Sequence, residues 1–580
     1  MKRTLPLIVA LSVASMARAQ SVKVEEFTLG NGMKFLLVPR DDQPNVISAG
    51  WLARVGSVNE HPGITGISHF FEHMMFKGTS TIGTSDAAKD AELNRQIAGI
   101  GERLRNLHLT VQYDRWRKGE INDPWDPAND TPEMKTLREH LNAAMDAQHQ
   151  EIVKDEFDEI YTREGGSGMN AFTSEDLTFF FINVPSNKFE LWAWMESDRI
   201  NDPSFREFYS ERDVVHEERR LRTESTPTGP FREQFESMFW MATPYNWPVV
   251  GWPTDLNSYT LAQAKDYFST YYAPDNLVGV IVGDFDPEYI KPVIEAYFGR
   301  LKRGPEPPKL VTLEVKQQAE MRMNAECDCQ PQVEVRYHTV PFSHKDSYAL
   351  QVLAELLNGR TGRLYKGLVE GKEIASSARA STDERKYAGA FSFRAETKGD
   401  ATPEQLEAGW DGLIEEIRTG GIPDHELQKV KNRMLANSYR RLENNFFLMI
   451  QLALDEAKGD WQYINEQPLK IQTVTAADIR RVIDTYFKTD NSAVAIYTRK
   501  AGAAPEDPEL LALDPQFRQM AKRTIDRINQ VEDLSQLEQM RAQMSAQSSQ
   551  APPQFQPAIR YIQKKLIERI EALQASGSSK

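Results

Sequence analysis

Two stretches of this chain pass through the same series of residues 215 positions apart. In the first, Thr260 precedes a helical pattern that runs to Tyr271-Tyr272, Asp275-Asn276 breaks it, and Leu277 to Val282 is an unbroken apolar run. In the second, Thr475, Tyr486-Phe487, Asp490-Asn491 and Ser492 to Tyr497 repeat that order. Threonine at the head of a helix accepts from its free N–H groups, and a short apolar run between turn residues reads as a buried strand. A helix-then-strand unit used twice implies two halves of similar build. The 580 residues suffice for two cores, and Arg303-Gly304-Pro305-Glu306-Pro307-Pro308 is the composition break between them. The expected class is α+β, with homologous domains at 20–303 and 304–500, each an antiparallel sheet packed with helices.

The first half opens with strand-like alternation from Val22 to Pro39 around a Gly30-Asn31-Gly32 turn, then a strand from Val46 to Val55. The next segment carries chemistry. Gly66-Ile67-Ser68-His69-Phe70-Phe71-Glu72-His73-Met74-Met75 holds two histidines four residues apart, with Glu72 beside the second. At helical pitch residues i and i+4 share a face, so both imidazoles reach one ion, and Glu72 leans toward the same point. The apolar residues around them predict a dry pocket, where a metal's charge acts strongly. A lone histidine on an apolar helix is more often a core residue bonded to backbone carbonyls. Two at this spacing with an adjacent Glu form the H-x-x-E-H signature of inverted zincins.

Between Ser85 and Glu164 the pattern changes. Ser85 reads as the cap of a helix toward Arg117, Asn122 to Asn129 as a turn, and Thr131-Pro132-Glu133 as the cap of a second helix reaching about Tyr161. Sustained helical patterning makes this a helical hairpin inserted at about 85–164, not a disordered loop. Gly165-Gly166-Ser167-Gly168 closes it; a buried strand from Leu177 to Val184 and a helix from Lys188 to Ile200 follow. The acidic helix from Glu211 to Arg220 is where a third metal ligand is to be sought, with His216, Glu217 and Glu218 as candidates by position. In the second half the strand from Val333 to Thr339 leads into Ser347 to Leu357, which takes the motif's place without a histidine. One metal site per chain is expected.

Lys2 and Arg3, the apolar Leu5 to Met16 and Ala17-Arg18-Ala19 read as a secretory signal at 1–19. Export follows, to a periplasmic or secreted location, without a retained membrane anchor, since no apolar run reaches the length of a bilayer span. The net charge of −15 argues against a nucleic-acid partner. Cys327 and Cys329 read as an incidental pair in a turn, too few for a disulfide framework and weak as a metal signal. The tail, 501–580, is expected to be helical from Pro515 to about Ser545 and again after Pro557, where Ile559, Ile562, Leu566, Ile570 and Leu573 form a stripe that would dock on the body or on a partner, the alternative being a solvated appendage.

From Val22 to Lys500 the chain resembles the pitrilysin/insulinase family of inverted-zincin metallopeptidases, which includes the mitochondrial processing peptidase. The resemblance rests on His69-Phe70-Phe71-Glu72-His73, on Asn170-Ala171-Phe172-Thr173 and on Glu211-Arg212-x-Val214-Val215-x-x-Glu218. It implies a pitrilysin-like domain in each half and one Zn2+ per chain on His69, His73 and Glu218, with water in the fourth position. It further implies Glu72 as general base and Glu211 as the residue that orients a ligand. Asn170, Ala171, Phe172 and Thr173 would be the edge strand that pairs with the backbone of peptide substrates.

Two departures matter. His73 and Glu218 are 145 positions apart, far more than the family's usual spacing, and the inserted hairpin accounts for the excess. The Arg and, seven residues later, the Tyr that grip substrate in active single-chain relatives fall here on Val369 and Ser376, with Tyr365 or Arg379 as candidate substitutes. The pattern resembles the zinc-bearing subunit of two-subunit members, and implies a hetero-oligomer with a similar-fold partner that supplies the Arg/Tyr pair. The expected function is a zinc-dependent endopeptidase cutting short or unfolded peptides in a clamshell chamber. The alternative is a non-catalytic structural or assembly subunit of the same fold.

Overall fold

Strands β1 (Glu25–Thr28) and β2 (Lys34–Pro39) fold back on each other because Gly32 takes a φ of +95°. The turn is closed by Leu29 N donating to Met33 O and Gly32 N donating to Leu29 O, both at 2.9 Å. A Cβ at Gly32 would also lie 2.9 Å from that of Asp275, so the position suits only glycine. The computed structural model describes residues 21–501, 507–531, 533–548 and 552–577; the segment read as a secretory signal lies outside them.

The first half adds β3 (Val46–Ala53), β4 (Ser167–Thr173), β5 (Thr178–Pro185) and β6 (Leu277–Gly283), giving a sheet in the order β1-β2-β6-β3-β5-β4. The second half supplies β7 (Met321–Cys327), β8 (Gln332–Thr339), β9 (Ala375–Glu384), β10 (Gly389–Thr397) and β11 (Ser492–Arg499), in the order β7-β11-β8-β10-β9. The wiring is the same. β6 runs parallel to β2 and antiparallel to β3, as β11 runs parallel to β7 and antiparallel to β8. With helices packed on both sheets the class is α+β as the repeat implies. Each sheet is mixed and not antiparallel throughout as expected, because β6 and β11 each run parallel to one neighbour.

The residues that repeat do so for local reasons. Thr260 and Thr475 each cap the following helix with a capping box. Asn276 Nδ2 donates to Tyr271 O at 2.8 Å, and Asn491 Nδ2 donates to Tyr486 O at 2.8 Å. Each Asn thus satisfies a carbonyl at the C-terminal end of the helix before its strand.

All seven residues of β6 are buried, as an unbroken apolar strand requires. One face of the first sheet presents Phe35, Trp51, Phe180 and Ile281 to the core that also holds Ile67, Phe70 and Phe71 of the helix Ile67–Met74. The other face, with Leu36, Leu52, Val278 and Val280, is covered by Leu448, Met449 and Leu452 of the helix Asn445–Lys458, which comes from the second half. A buried charge network also joins the halves. Glu236, on the helix Gly229–Phe239, accepts from Arg385 at 2.6 Å and pairs with Arg336.

The insertion departs from expectation in two places. The cap of its first helix, Ala87–Leu107, is Asp86, whose Oδ1 accepts from Ala88 N and Lys89 N at 3.0 Å, while Ser85 bonds to Glu151 instead. Its second helix, capped by Thr131 as expected, is Pro132–His149 and stops short of Tyr161. There Ser85 N donates to Glu151 O at 2.8 Å and Thr84 bridges to Ile152, which draws the chain out of the helix before a separate helix, Glu156–Arg163.

Cys327 and Cys329, read as an incidental pair in a turn, are bonded to each other, with Cα atoms 5.2 Å apart. In the tail the expected long helix is two helices, Pro515–Gln530 and Leu534–Ser548, followed by Gln556–Gly577. Ile562, Leu566 and Ile570 pack on Leu513, Ile528 and Leu537 within the tail itself, so the stripe covers the tail's own core instead of docking elsewhere. Among the described residues no helix is long and apolar enough to cross a membrane.

Candidate active site

The helix Ile67–Met74 starts at Gly66, whose φ of +88° and close approach to Val250 O, 2.5 Å from where a Cβ would sit, exclude other residues. The buried carboxylate of Glu60 accepts from Gly66 N at 2.7 Å and Ser68 N at 2.8 Å, taking the place of a side-chain N-cap. Phe71 is held among Phe205, Tyr267, Phe268 and Tyr272. With its apolar face fixed in this way, the helix turns His69 and His73 toward the acidic helix Phe208–Arg219 and Glu72 toward the end of β4.

Glu211 and Glu218, seven residues apart, lie on the face of that helix that meets the histidines. Glu218 Oε2 is 3.2 Å from His73 Nε2 and 3.5 Å from His69 Nε2. One atom from each of these three side chains falls within 4.8 Å of the others. Zn–N and Zn–O bonds of about 2.1 Å at a tetrahedral angle set ligand atoms roughly 3.4 Å apart, so the spacing fits a zinc-sized cation. Glu218 Oε2 is buried and has no hydrogen-bond partner, while its Oε1 pairs with Arg222 at 2.5 Å. A buried carboxylate oxygen left facing two imidazole nitrogens is a position for a cation.

The charges around it point the same way. His73 Nδ1 donates to Glu211 Oε1 at 2.9 Å, which leaves the Nε2 lone pair free for a metal. Lys77 Nζ holds the other Glu211 oxygen at 2.6 Å and reaches Glu207 at 3.3 Å. Burial alone would lower the His73 pKa, but the Glu211 and Glu218 carboxylates outweigh it and push it up to about 9. His69 and His73 hold the Glu218 carboxyl well below the usual carboxylate range. The three side chains thus form an anionic pocket that binds a proton tightly, and the same electrostatics favour a divalent cation.

Of the competing acids, Glu217 is exposed and paired with Arg220 at 2.7 Å, and His216 does not join the ligand cluster. Glu72 accepts from Thr173 Oγ1 at 2.7 Å, which ties the motif helix to the end of β4. β4 is the free edge of the sheet and pairs only with β5, in the register Asn170 to Phe181, Ala171 to Phe180 and Phe172 to Phe179. Val369 is half-buried and packs on the second core, and Ser376 lies in β9, its Oγ bonded to Glu396 O at 3.4 Å.

Lys77 carries no sequence signal, and Thr173, legible only as part of the edge strand, meets Glu72 through a bond that the fold creates. Arg206, fully buried, donates to Lys77 O, Thr79 O and Ile82 O and pairs with Asp90 of the insertion, fixing the loop after the motif helix. His149, Val153 and Lys154 of the insertion line a cleft of about 590 Å³ that opens beside Glu72 and His73, so the insertion forms a wall of the site.

Known proteins carry the same organisation. The family described as insulinase (peptidase family M16) matches residues 37–101, which hold the motif helix, and the one described as peptidase M16 inactive domain matches residues 258–434. Zinc protease PqqE of Helicobacter pylori is 27% identical over 493 residues, 84% of this chain and 95% of its own length. The chain belongs to the pitrilysin/insulinase (M16) family. A solved structure of a protease from Helicobacter pylori matches with a TM-score of 0.67 at 26% identity, covering 82% of this chain and 99% of that one. The periplasmic protease PqqL of Escherichia coli has a similar fold at a TM-score of 0.61 and 17% identity, this chain covering 50% of it. The helix Ser347–Leu357, without histidine, lies within the segment matched by the M16 inactive domain.

Proposed function

We propose that this M16 chain is a zinc-dependent endopeptidase, with one Zn2+ on His69, His73 and Glu218. The observation that carries this reading is the buried, unpartnered Glu218 Oε2 at 3.2 and 3.5 Å from the two imidazole nitrogens, beside a half-buried Glu72. Zinc bound there supplies a Lewis acid that acidifies a water and polarises a carbonyl. Glu72 takes the proton from the attacking water at its carboxylate and passes it to the leaving amine. Thr173, donating to Glu72 Oε2, fixes the direction in which that carboxylate faces. Glu211 keeps His73 in the tautomer that offers Nε2. Asn170 to Thr173, on the free edge of β4, bind an extended substrate by strand addition, which suits short or unfolded peptides.

Val369 and Ser376, where active single-chain relatives carry the Arg/Tyr pair, support a catalytic subunit completed by a similar-fold partner. An exported, periplasmic setting agrees with the N-terminal sequence. A non-catalytic assembly role is the second reading, favoured by the same two positions. The deciding experiment is zinc analysis with hydrolysis of unstructured peptides by the purified chain, alone and with its partner. Glu72→Gln is expected to keep zinc and lose activity. Activity that survives this substitution overturns the mechanism, and full activity of the lone chain overturns the partner.

A further inference from the structure

Behind the acidic helix, on the side away from the metal ligands, a second cleft of about 600 Å³ lies between that helix and the inserted hairpin. It shares no residue with the metal site. Tyr209, Arg212 and His216 stand at i, i+3 and i+7 of the helix and all line the cleft, so the face opposite Glu211 and Glu218 is also polar.

This lining sets Arg105, Arg138 and Arg212 beside Asp123, Asp126, Asp213 and Glu217, and several of its buried polar atoms lack a partner. Tyr209 OH, Tyr259 OH, Arg212 Nε and His216 Nε2 are buried atoms without a hydrogen-bond partner. Tyr209 is 6% exposed and Tyr259 0%. Buried polar atoms are almost always bonded, so four around one cleft mark a place that awaits polar partners, and Arg212 Nε among them can only donate. The guanidinium of Arg212 makes one bond, to Asn257 O at 3.0 Å, and lies across the Tyr209 ring, 5.0 Å from its centroid. Arg105 likewise bonds a carbonyl, Ser258 O at 2.6 Å. Among the described residues neither guanidinium has a carboxylate in ion-pair range, whereas Arg138 on the same wall is paired with Asp130. The acids nearby are mostly engaged. Asp123 and Asp126 accept from turn N–H groups of Trp125 and Ala128, and Glu217 is held by Arg220, which leaves the exposed Asp213 at the rim.

We propose that this cleft binds a small organic or inorganic anion bearing a carboxylate or phosphate group, held by Arg212 and Arg105. Two unpaired guanidiniums present planar, charge-assisted donors of the kind these groups accept from. The tyrosine hydroxyls are closed off in the conformation described, and Arg212 drawn off the Tyr209 ring toward the anion opens them as further donors.

The test uses the purified full chain and isothermal titration with glutarate and with inorganic phosphate. Dimethyl glutarate serves as the uncharged control and sodium chloride as the ionic-strength control. Saturable binding of at least one anion, absent for the ester and the chloride, is expected, and the stronger of the two arms identifies the ligand group. Arg212→Gln should weaken it by about ten-fold or more, as loss of a charge-assisted pair does. Tyr259→Phe removes only an unpartnered hydroxyl. It should leave the melting temperature of the free chain unchanged or higher and weaken the anion by roughly three-fold, a net neutral hydrogen bond. Absence of saturable binding by either anion overturns the proposal. So does affinity unchanged in both variants, or in Tyr259→Phe and Arg105→Gln where Arg212→Gln does not fold.

Discussion

His73 Nδ1 and Glu211 Oε1 lie 2.9 Å apart, and Lys77 holds the other Glu211 oxygen at 2.6 Å. The imidazole that faces Glu218 is therefore oriented from behind by a carboxylate that is itself fixed. Glu211→Gln keeps the shape and removes the charge. It is expected to cost about 10- to 100-fold in zinc affinity, the usual effect of losing a partner that orients a ligand. Competition with a chromophoric chelator measures it, and affinity equal to the parent chain would sink the role given to Glu211.

The same pair sets a pH dependence. In the metal-free chain His73 is raised from its ordinary 6.5 to about 9, by Glu211 and Glu218 acting against burial. Its contribution to the stability of the metal-free fold is complete below the unfolded value and disappears as pH rises through about 9. Zinc must displace that proton. Apparent zinc affinity should climb by up to about ten-fold per pH unit from neutrality and level off near the raised pKa. Calorimetry in buffers of different ionisation heat should find a proton released from the site at neutral pH. Affinity independent of pH over this range would contradict the assignment.

Much of this could be read from the chain before its fold was known. The 215-residue offset holds in three dimensions because Asn276 and Asn491 do the same work, each bonding the carbonyl of a tyrosine at the end of a helix. The spacing of His69 and His73 is a property of one helix and needs no fold to be seen. Glu217 and Glu218 are neighbours that helical position alone does not separate; in the fold Glu218 is half-buried against the histidines, while Glu217 is exposed and paired with Arg220. The sequence pattern carries the insertion's second helix past its end because the pull of Ser85 and Thr84 on Glu151 and Ile152 comes from residues about 66 positions away. The tail's stripe was legible as apolar, but its occupant was not, because that depended on where two other helices stop.

Glu236 joins the two halves where the sequence shows only a charged residue in a helix. Its carboxyl lies between Arg336 and Arg385, and these hold it down to about 2, against burial, from an ordinary 4.5. Because the folded value is depressed, its stabilisation is complete above about 4.5 and is lost as pH falls toward 2. Glu236→Gln leaves two arginines short of their counter-charge and is expected to cost about 3 kcal/mol at neutral pH. Urea midpoints at neutral pH and near pH 3 check both claims. The variant should lose less stability than the parent between the two conditions, and equal losses would remove Glu236 from the acid response.

Thr173 lies at the end of the strand proposed to bind substrate and touches the proposed base, with Oγ1 donating to Glu72 Oε2 at 2.7 Å. This single bond connects the edge of β4 with the motif helix, so a peptide added to the strand and the carboxylate that serves it share one reference point. Thr173→Val keeps the volume and the β-branched shape that suits a strand, and removes the donor. Zinc content and melting temperature should hold close to the parent, because neither ligand geometry nor core packing depends on the hydroxyl. The turnover number should fall by about ten-fold, the loss expected for one hydrogen bond to a charged group, with KM changing less. Thr173→Ser restores the donor on a smaller side chain and should recover most of the rate. A valine variant as fast as the parent would mean that Glu72 is directed by something other than Thr173. A serine variant as slow as the valine one would place the effect in the shape of the strand and not in the hydrogen bond.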